Sequence, residues 1–100
     1  MSQPVAASNY KRINGTGAGT TVVADQPANF DSLTVGGNYT GTLTFYDCAT
    51  AAGTTSTNQL IAFNNNSGSV PYTVHPRVAT KVGLTVVVGG TTDALVGWSA

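Results

Sequence analysis

Short stretches in which apolar and polar residues alternate recur along the chain, and glycine- or asparagine-rich turns separate them. In the clearest stretch, residues 39–48, Leu43 and Phe45 alternate with two threonines and a tyrosine. Alternation with a period of two places one set of side chains on each face of a strand, so it predicts a sheet with one buried face. The same pattern predicts further strands at residues 10–13, 20–24, 30–35, 59–63, 70–75, 82–88 and 94–99.

No stretch has a helical period, and turn signals recur with the spacing that is typical of sandwiches and barrels. The sequence therefore predicts an all-β fold, an antiparallel two-sheet β-sandwich of about eight strands, jelly-roll or immunoglobulin-like. Pro71 predicts that its strand lies at a sheet edge. The valine-rich residues 82–88 are predicted to be buried on both faces, by the core and by a partner, and to form a hairpin with residues 94–99.

A length of 100 residues fits one domain with a thin core, and a hydrophobic content of 41 % excludes global disorder. Residues 1–8 are predicted to form a flexible N-terminal arm, and residues 9–100 the β-sandwich domain. The arm lacks the regions of a signal peptide, and no apolar run approaches a membrane helix, so no membrane association is expected. The single cysteine, Cys48, excludes an internal disulfide and favours synthesis in a reducing cytoplasm.

Charged residues are scarce. They make up 8 % of the chain, against about 25 % in an average soluble domain, and glutamate is absent. The formal net charge is zero, so copies of the chain repel each other weakly, and no basic stripe is present for nucleic acid. This composition favours a neutral, hydrogen-bonding surface that suits self-association better than acid–base chemistry. The charged residues are Lys11, Arg12, Asp25, Asp31, Asp47, Arg77, Lys81 and Asp93.

Two features are weak candidates for active-site chemistry. The glycine-rich residues 15–19 precede a predicted strand, whereas a dinucleotide-binding loop precedes a helix, so an ordinary loop is expected. Cys48 and His75 are a possible nucleophile and base, but nothing near Cys48 in the sequence resembles an activating helix N-terminus or cationic pocket. We therefore expect no catalytic residues, no metal site and no cofactor, and we predict that the protein is not an enzyme.

The isolated aspartates and the aromatic residues have structural interpretations. Asp25, Asp31 and Asp93 are predicted to shape turns rather than to bind calcium or to hydrolyse a substrate. Exposed rings would suit the stacking of a sugar, yet contacts with the core or with another subunit are the favoured role. The rings considered are those of Tyr10, Tyr39, Tyr46, Tyr72 and Trp98.

Two segments carry a resemblance to a known family. Residues 39–47 (YTGTLTFYD), with the small-residue loop that follows them, resemble the central strand of small β-sandwich virion proteins of tailed bacteriophages. Residues 83–93 (GLTVVVGGTTD), followed by Trp98, resemble the late hairpin of the same proteins. The resemblance covers about residues 10–99 and includes no catalytic motif.

The resemblance implies a non-enzymatic role on a virus particle. Such proteins decorate or cement the capsid shell, or form head fibres, commonly as trimers. The expected partners are therefore the major capsid protein and further copies of this chain, at the capsid surface of a virion, after synthesis in the host cytoplasm. The alternative is a carbohydrate-binding or host-adhesion module of a phage fibre, which requires at least two aromatic rings exposed together.

Overall fold

The computed structural model describes residues 9–15, 17–36, 41–64 and 72–100, so the predicted arm at residues 1–8 lies outside the described residues. Within these ranges the chain forms nine β-strands and two single 3-10 turns, at Ala51–Gly53 and Ser56–Asn58, and no α-helix. The all-β prediction is confirmed. The strands are β1 (Asn9–Gly15), β2 (Gly19–Ala24), β3 (Asn29–Val35), β4 (Thr42–Tyr46), β5 (Gln59–Asn64), β6 (Tyr72–Val74), β7 (Val78–Ala79), β8 (Leu84–Val88) and β9 (Thr92–Ser99).

These strands form two antiparallel sheets in the described part of the chain. Sheet A has the order β1-β9-β3-β6, with the short β7 also paired to β3, and sheet B has the order β2-β8-β4-β5. Strands therefore pair from the ends of the sequence inward: β1 with β9, β2 with β8, β3 with β6 and β7, and β4 with β5. A long hairpin rolled into two sheets in this way has the jelly-roll topology rather than that of an immunoglobulin domain.

The core lies between the two sheets and follows the alternation in the sequence. On β4, Leu43 and Phe45 are fully buried whereas Thr42 is exposed, as predicted. The ring of Phe45 lies 4.4 Å from that of Phe30 in the facing sheet, and the ring of Phe63 meets it edge-on at 5.9 Å between centroids. Full burial of a phenylalanine side chain contributes about 2 kcal/mol, so the fully buried Phe30 and Phe45 help to hold the two sheets together.

The predicted hairpin between residues 82–88 and 94–99 is wrong, because β8 and β9 lie in different sheets. Both strands carry fully buried apolar side chains, such as Val86 and Val96. β8 pairs with β2 and β4, and β9 pairs with β1 and β3, so both edges of each strand are occupied and neither is free to pair with the other. The connection between the strands includes Gly90, whose φ of 140° suits glycine.

A close approach between β4 and the end of β8 sets the position of this connection. The N–H of Gly89 donates to the carbonyl of Thr42 at 2.9 Å. A side chain at Gly41 would place its Cβ against the carbonyl oxygen of Gly89, so the backbone there has no room for any other residue. Gly41 therefore allows the chain to pass from β8 in sheet B toward β9 in sheet A.

The free edge of sheet A at β6 and β7 is interrupted. The predicted edge strand is confirmed at Tyr72–Val74, and Pro71 lies outside the described residues. After β6, the residues His75, Pro76 and Arg77 separate the strand from β7, and Arg77 adopts a left-handed φ of 54°. Short, interrupted strands are poor templates for pairing with another chain. Within the described residues, this edge therefore offers little continuous backbone for strand addition.

Candidate interaction surface

The outer face of sheet B is built from the side chains that alternate with the core residues. Because Phe45 points into the core, its neighbours on β4 point outward. Residues paired directly across antiparallel strands share a face, and Thr44 is paired with both Val87 and Ala62, while Val87 is also paired with Thr20. We call this surface the neutral face and define it as Thr20, Val22, Thr42, Thr44, Tyr46, Ala62 and Val87.

One row of the neutral face crosses all four strands of sheet B. Thr20 and Ala62 are exposed at its two ends, and Val87 and Thr44 are half-buried between them. None of the residues of the neutral face is Asp, Glu, Lys, Arg or His. The row offers methyl groups and hydroxyls to a partner, so binding there does not require the desolvation of a charge.

Around Thr85, the outer side of sheet B is covered by another segment of the same chain. Thr85 points outward from β8, yet it is fully buried, and its hydroxyl donates to the carbonyl of Cys48 at 2.8 Å. Residues 47–58 leave β4, pass over β8, approach β2 at Ala51–Gly53 and return to β5. Burial of β8 on both faces is confirmed at Thr85, but the covering segment belongs to the same chain.

Asp47 anchors this covering segment, because its carboxylate binds backbone N–H groups of the same chain. Its carboxylate accepts N–H bonds from Lys81, Val82 and Gly83, the shortest at 2.8 Å from Val82. Burial alone would raise the pKa of Asp47, but the three backbone donors and the charge of Lys81 outweigh it and hold the pKa below its usual value. Asp47 is the only Asp, Glu, Lys or Arg in residues 32–76.

The outer face of sheet A is charged, in contrast to the neutral face. Arg12 on β1 and Asp93 on β9 form a salt bridge of 3.2 Å, and both side chains are largely exposed. Leu95, which is paired with Arg12, and Tyr10 lie on the same side and are 39 % and 58 % exposed. A partner that bound here would have to desolvate the ion pair, which makes this face the less favourable one for a tight contact.

Cys48 and His75 follow strands of different sheets, and no hydrogen bond joins them in the described part of the chain. Cys48 is buried, and its Sγ donates to the carbonyl of Thr50 at 3.4 Å. His75 is exposed at the edge of sheet A. Within the described ranges, no three His, Cys, Asp or Glu side chains are grouped so that they could hold a metal ion.

The aspartates predicted to shape turns occupy two kinds of position. Asp25 lies in the bend after β2, as predicted. Asp31 and Asp93 lie within β3 and β9, so the turn prediction is wrong for these two residues. Both carboxylates bind side chains of neighbouring strands instead, because Asp31 accepts from the hydroxyl of Ser99 at 2.8 Å and Asp93 pairs with Arg12.

Among the described side chains, no two of the aromatic rings considered above are exposed together. Trp98 packs against the core while partly buried, as predicted. Tyr46 is half-buried on the neutral face, and Tyr10 is exposed on the opposite sheet. Tyr39 and the side chain of Tyr72 lie outside the described residues. Among the described side chains, the arrangement that sugar stacking requires is therefore not found.

The residues that lie side by side across the neutral face could not be identified from the sequence. Alternation along one strand places Thr44 outward, but it does not indicate which residues of other strands lie beside it. The row through Thr20, Val87 and Ala62 depends on the pairing of strands that are distant in the sequence. The available signal was the absence of charge over residues 32–46 and 48–76.

No helix in the described part of the chain has the length and apolar character needed to cross a membrane. No family model matches the sequence, and neither a curated protein nor a solved structure shows significant similarity to this chain.

Proposed function

We propose that this protein is a non-enzymatic structural protein of a virion. It binds the capsid shell as a decoration or cement protein and associates with copies of itself through the neutral face. Its partners are the major capsid protein and further copies of this chain, and the sequence resemblance implies three copies. The observation that carries the proposal is the uncharged row across all four strands of sheet B.

The size of the neutral face favours many weak contacts over a single strong one. Strands lie about 4.8 Å apart and rise about 3.3 Å per residue, so four strands of five residues cover about 300 Å². A stable two-protein interface buries about 800 Å² on each partner. Weak contacts become strong when symmetry repeats them, because each bound copy raises the effective concentration of the next site. The lattice of a shell would supply that repetition.

A matched pair of substitutions tests self-association. Val87 and Leu95 lie on the outer faces of β8 and β9, each the second strand from one edge of its sheet. Because a single contact of this size is weak, sedimentation velocity at concentrations up to the millimolar range should give wild-type masses that rise above that of one chain. Val87→Lys places a charge in the neutral face and should return the protein to monomers, whereas Leu95→Lys on the charged face should leave the assembly intact. Thermal unfolding of both variants confirms that they are folded.

Two results would contradict this proposal. A wild-type protein that remains monomeric up to millimolar concentrations refutes self-association, and equal effects of the two lysine substitutions refute the neutral face as its surface. Mass spectrometry of purified particles tests the virion assignment separately. Particles that lack this chain would refute that assignment whatever the state of association.

The alternative function, a carbohydrate-binding or host-adhesion module, has one favourable observation. Tyr10 is 58 % exposed on the outer face of sheet A. A single ring supplies one stacking contact, whereas a sugar-binding platform requires at least two. Binding on a glycan array that is lost in Tyr10→Ala would favour this alternative over shell binding.

A further inference from the structure

The four edge strands of the two sheets differ in how well they resist pairing with another chain. β1 carries the exposed Lys11 and Arg12, and the opposite edge of sheet A is interrupted between β6 and β7. β2 ends in a bulge, and the 3-10 turn Ala51–Gly53 approaches it. β5 contains neither a charged residue nor a proline, and its pairing with β4 is regular over residues 61–64. Because charges, prolines and interruptions protect sheet edges, β5 is the least protected edge among the described residues.

The backbone groups of Ala62 point away from the sheet at this edge. The N–H of Gly89 donates to the carbonyl of Thr42, so Thr42 directs its N–H and C=O groups toward β8. Successive residues of a strand direct these groups to opposite sides, so Phe45 directs its groups toward β5, where it is paired with Ile61. Ala62 follows Ile61 and therefore directs its N–H and C=O outward, to the side on which no strand lies in the described ranges.

The core-facing side chains of β5 are incompletely covered. Leu43 and Phe45 on β4 are fully buried, whereas Phe63 and Ile61, which are paired with them, are half-buried. Both of these β5 side chains pack against the core from the side that faces sheet A. A further strand beside β5 would cover their remaining apolar surface, in the way that β5 and β8 cover β4 on its two sides.

The edge of β5 is complementary to a second copy of itself. When two such strands pair antiparallel about a two-fold axis at Ala62, the two Ala62 residues exchange both of their N–H···O=C bonds. Ile61 of each copy then lies opposite Phe63 of the other, and both side chains are on the core-facing side of the sheet. Cross-strand pairs of aromatic and β-branched side chains stabilise a sheet, and because β5 is uncharged, the contact between identical strands causes no charge repulsion.

We propose that two copies of this chain pair through β5, antiparallel about Ala62, and so join their two four-stranded sheets B into one continuous sheet. The pairing deepens the proposed self-association, because it adds a second surface and makes the neutral faces of two copies continuous. A contact between two single strands buries much less than the about 800 Å² per partner of a stable interface, so it is transient by itself. It strengthens the assembly once contacts through the neutral face hold the copies close together.

Disulfide trapping tests the pairing even where it is transient. The Cα atoms of two residues that exchange both hydrogen bonds lie about 5.5 Å apart, within the about 4.4–6.8 Å that a disulfide spans. Ala62→Cys should therefore give a covalent dimer on oxidation, measured by non-reducing electrophoresis. Thr20→Cys, which is also exposed but lies on the opposite edge strand of sheet B, should link about tenfold more slowly, by random collision. The wild type, whose Cys48 is buried, should give no dimer.

A second substitution separates edge pairing from contact through the neutral face. Ala62→Cys combined with Val87→Lys should be trapped as readily as Ala62→Cys alone, because Val87 lies on β8, two strands away from β5. Loss of the dimer in the double variant would assign the link to the neutral face and overturn edge pairing, as would equal rates for Ala62→Cys and Thr20→Cys. A trapped Ala62→Cys dimer, together with a wild type that stays monomeric in sedimentation, would support edge pairing and refute only the association through the neutral face.

Discussion

Replacing Thr92 with valine is expected to stabilise the protein, although most core substitutions destabilise. Thr92 is 2 % exposed and its Oγ1 has no hydrogen-bond partner, while valine has nearly the same shape. An unpaired buried hydroxyl costs about 1–3 kcal/mol, and a buried methyl group contributes about 1 kcal/mol. Allowing for imperfect packing of the new methyl group, we expect the free energy of unfolding to rise by about 1–2 kcal/mol.

Two other buried threonines provide matched controls for this substitution. The hydroxyl of Thr85 donates to the carbonyl of Cys48 at 2.8 Å. The hydroxyl of Thr80 accepts from the N–H of Ala28 and donates to its carbonyl, both at 2.9 Å. We expect Thr85→Val to lower the free energy of unfolding by about 1 kcal/mol, and Thr80→Val by about 2 kcal/mol, because the latter leaves a buried N–H without its acceptor.

Urea unfolding of the three valine variants measures these differences. In thermal unfolding, a change of 1 kcal/mol corresponds to a shift of about 4–8 °C in Tm for a domain of this size. If Thr92→Val destabilised the protein as much as Thr85→Val, the Thr92 hydroxyl would have a partner in solution, and the reasoning would be refuted.

Two further substitutions test the anchor of the covering segment and the close approach of β4 and β8. Asp47→Asn should lower the free energy of unfolding by about 2 kcal/mol, because a neutral amide oxygen accepts the three N–H bonds more weakly than a carboxylate and the amide NH₂ faces the N–H of Lys81, whereas the exposed Asp25→Asn should change it by less than about 0.5 kcal/mol in the same urea titration. Because the folded state lowers the pKa of Asp47, its contribution is present above the unfolded pKa of about 3.9 and is lost as the pH falls toward the folded value. Urea midpoints should therefore decline more steeply in acid for the wild type than for Asp47→Asn. Gly41→Ala places a Cβ against the backbone of Gly89 and should cost more than about 3 kcal/mol in thermal unfolding, while Gly19→Ala, which meets no atom, should cost little.

Strand positions could be predicted from the sequence because alternation is a local signal. The burial of Leu43 and Phe45 follows directly from the period of two, and each predicted strand overlaps an observed one. Strand order could not be predicted, because it depends on pairing between distant segments, such as β1 with β9. The predicted terminal hairpin assumed that neighbouring strands pair, which the rolled topology does not follow.

The candidate surface was less predictable than the fold. Asp47 was not singled out, since its first donor, Lys81, is 34 positions away and carries no motif. The unpaired hydroxyl of Thr92 has no signal in the sequence either, because the strands of this chain carry buried threonines, such as Thr85, as well as exposed ones, such as Thr20. Whether a single atom has a hydrogen-bond partner can be read only from the structure. The scarcity of charge, in contrast, is visible in the composition.

Ionic strength tests whether the copies associate through the neutral face. Raising the salt from about 0.1 M to about 1 M shortens the screening length from about 10 Å to about 3 Å. The neutral face holds no charge, so the assembled fraction in sedimentation should stay constant or rise with salt. An assembly that dissociated with salt would require contacts through charged groups, such as Arg12 and Asp93 on sheet A, and Val87→Lys would then leave it intact.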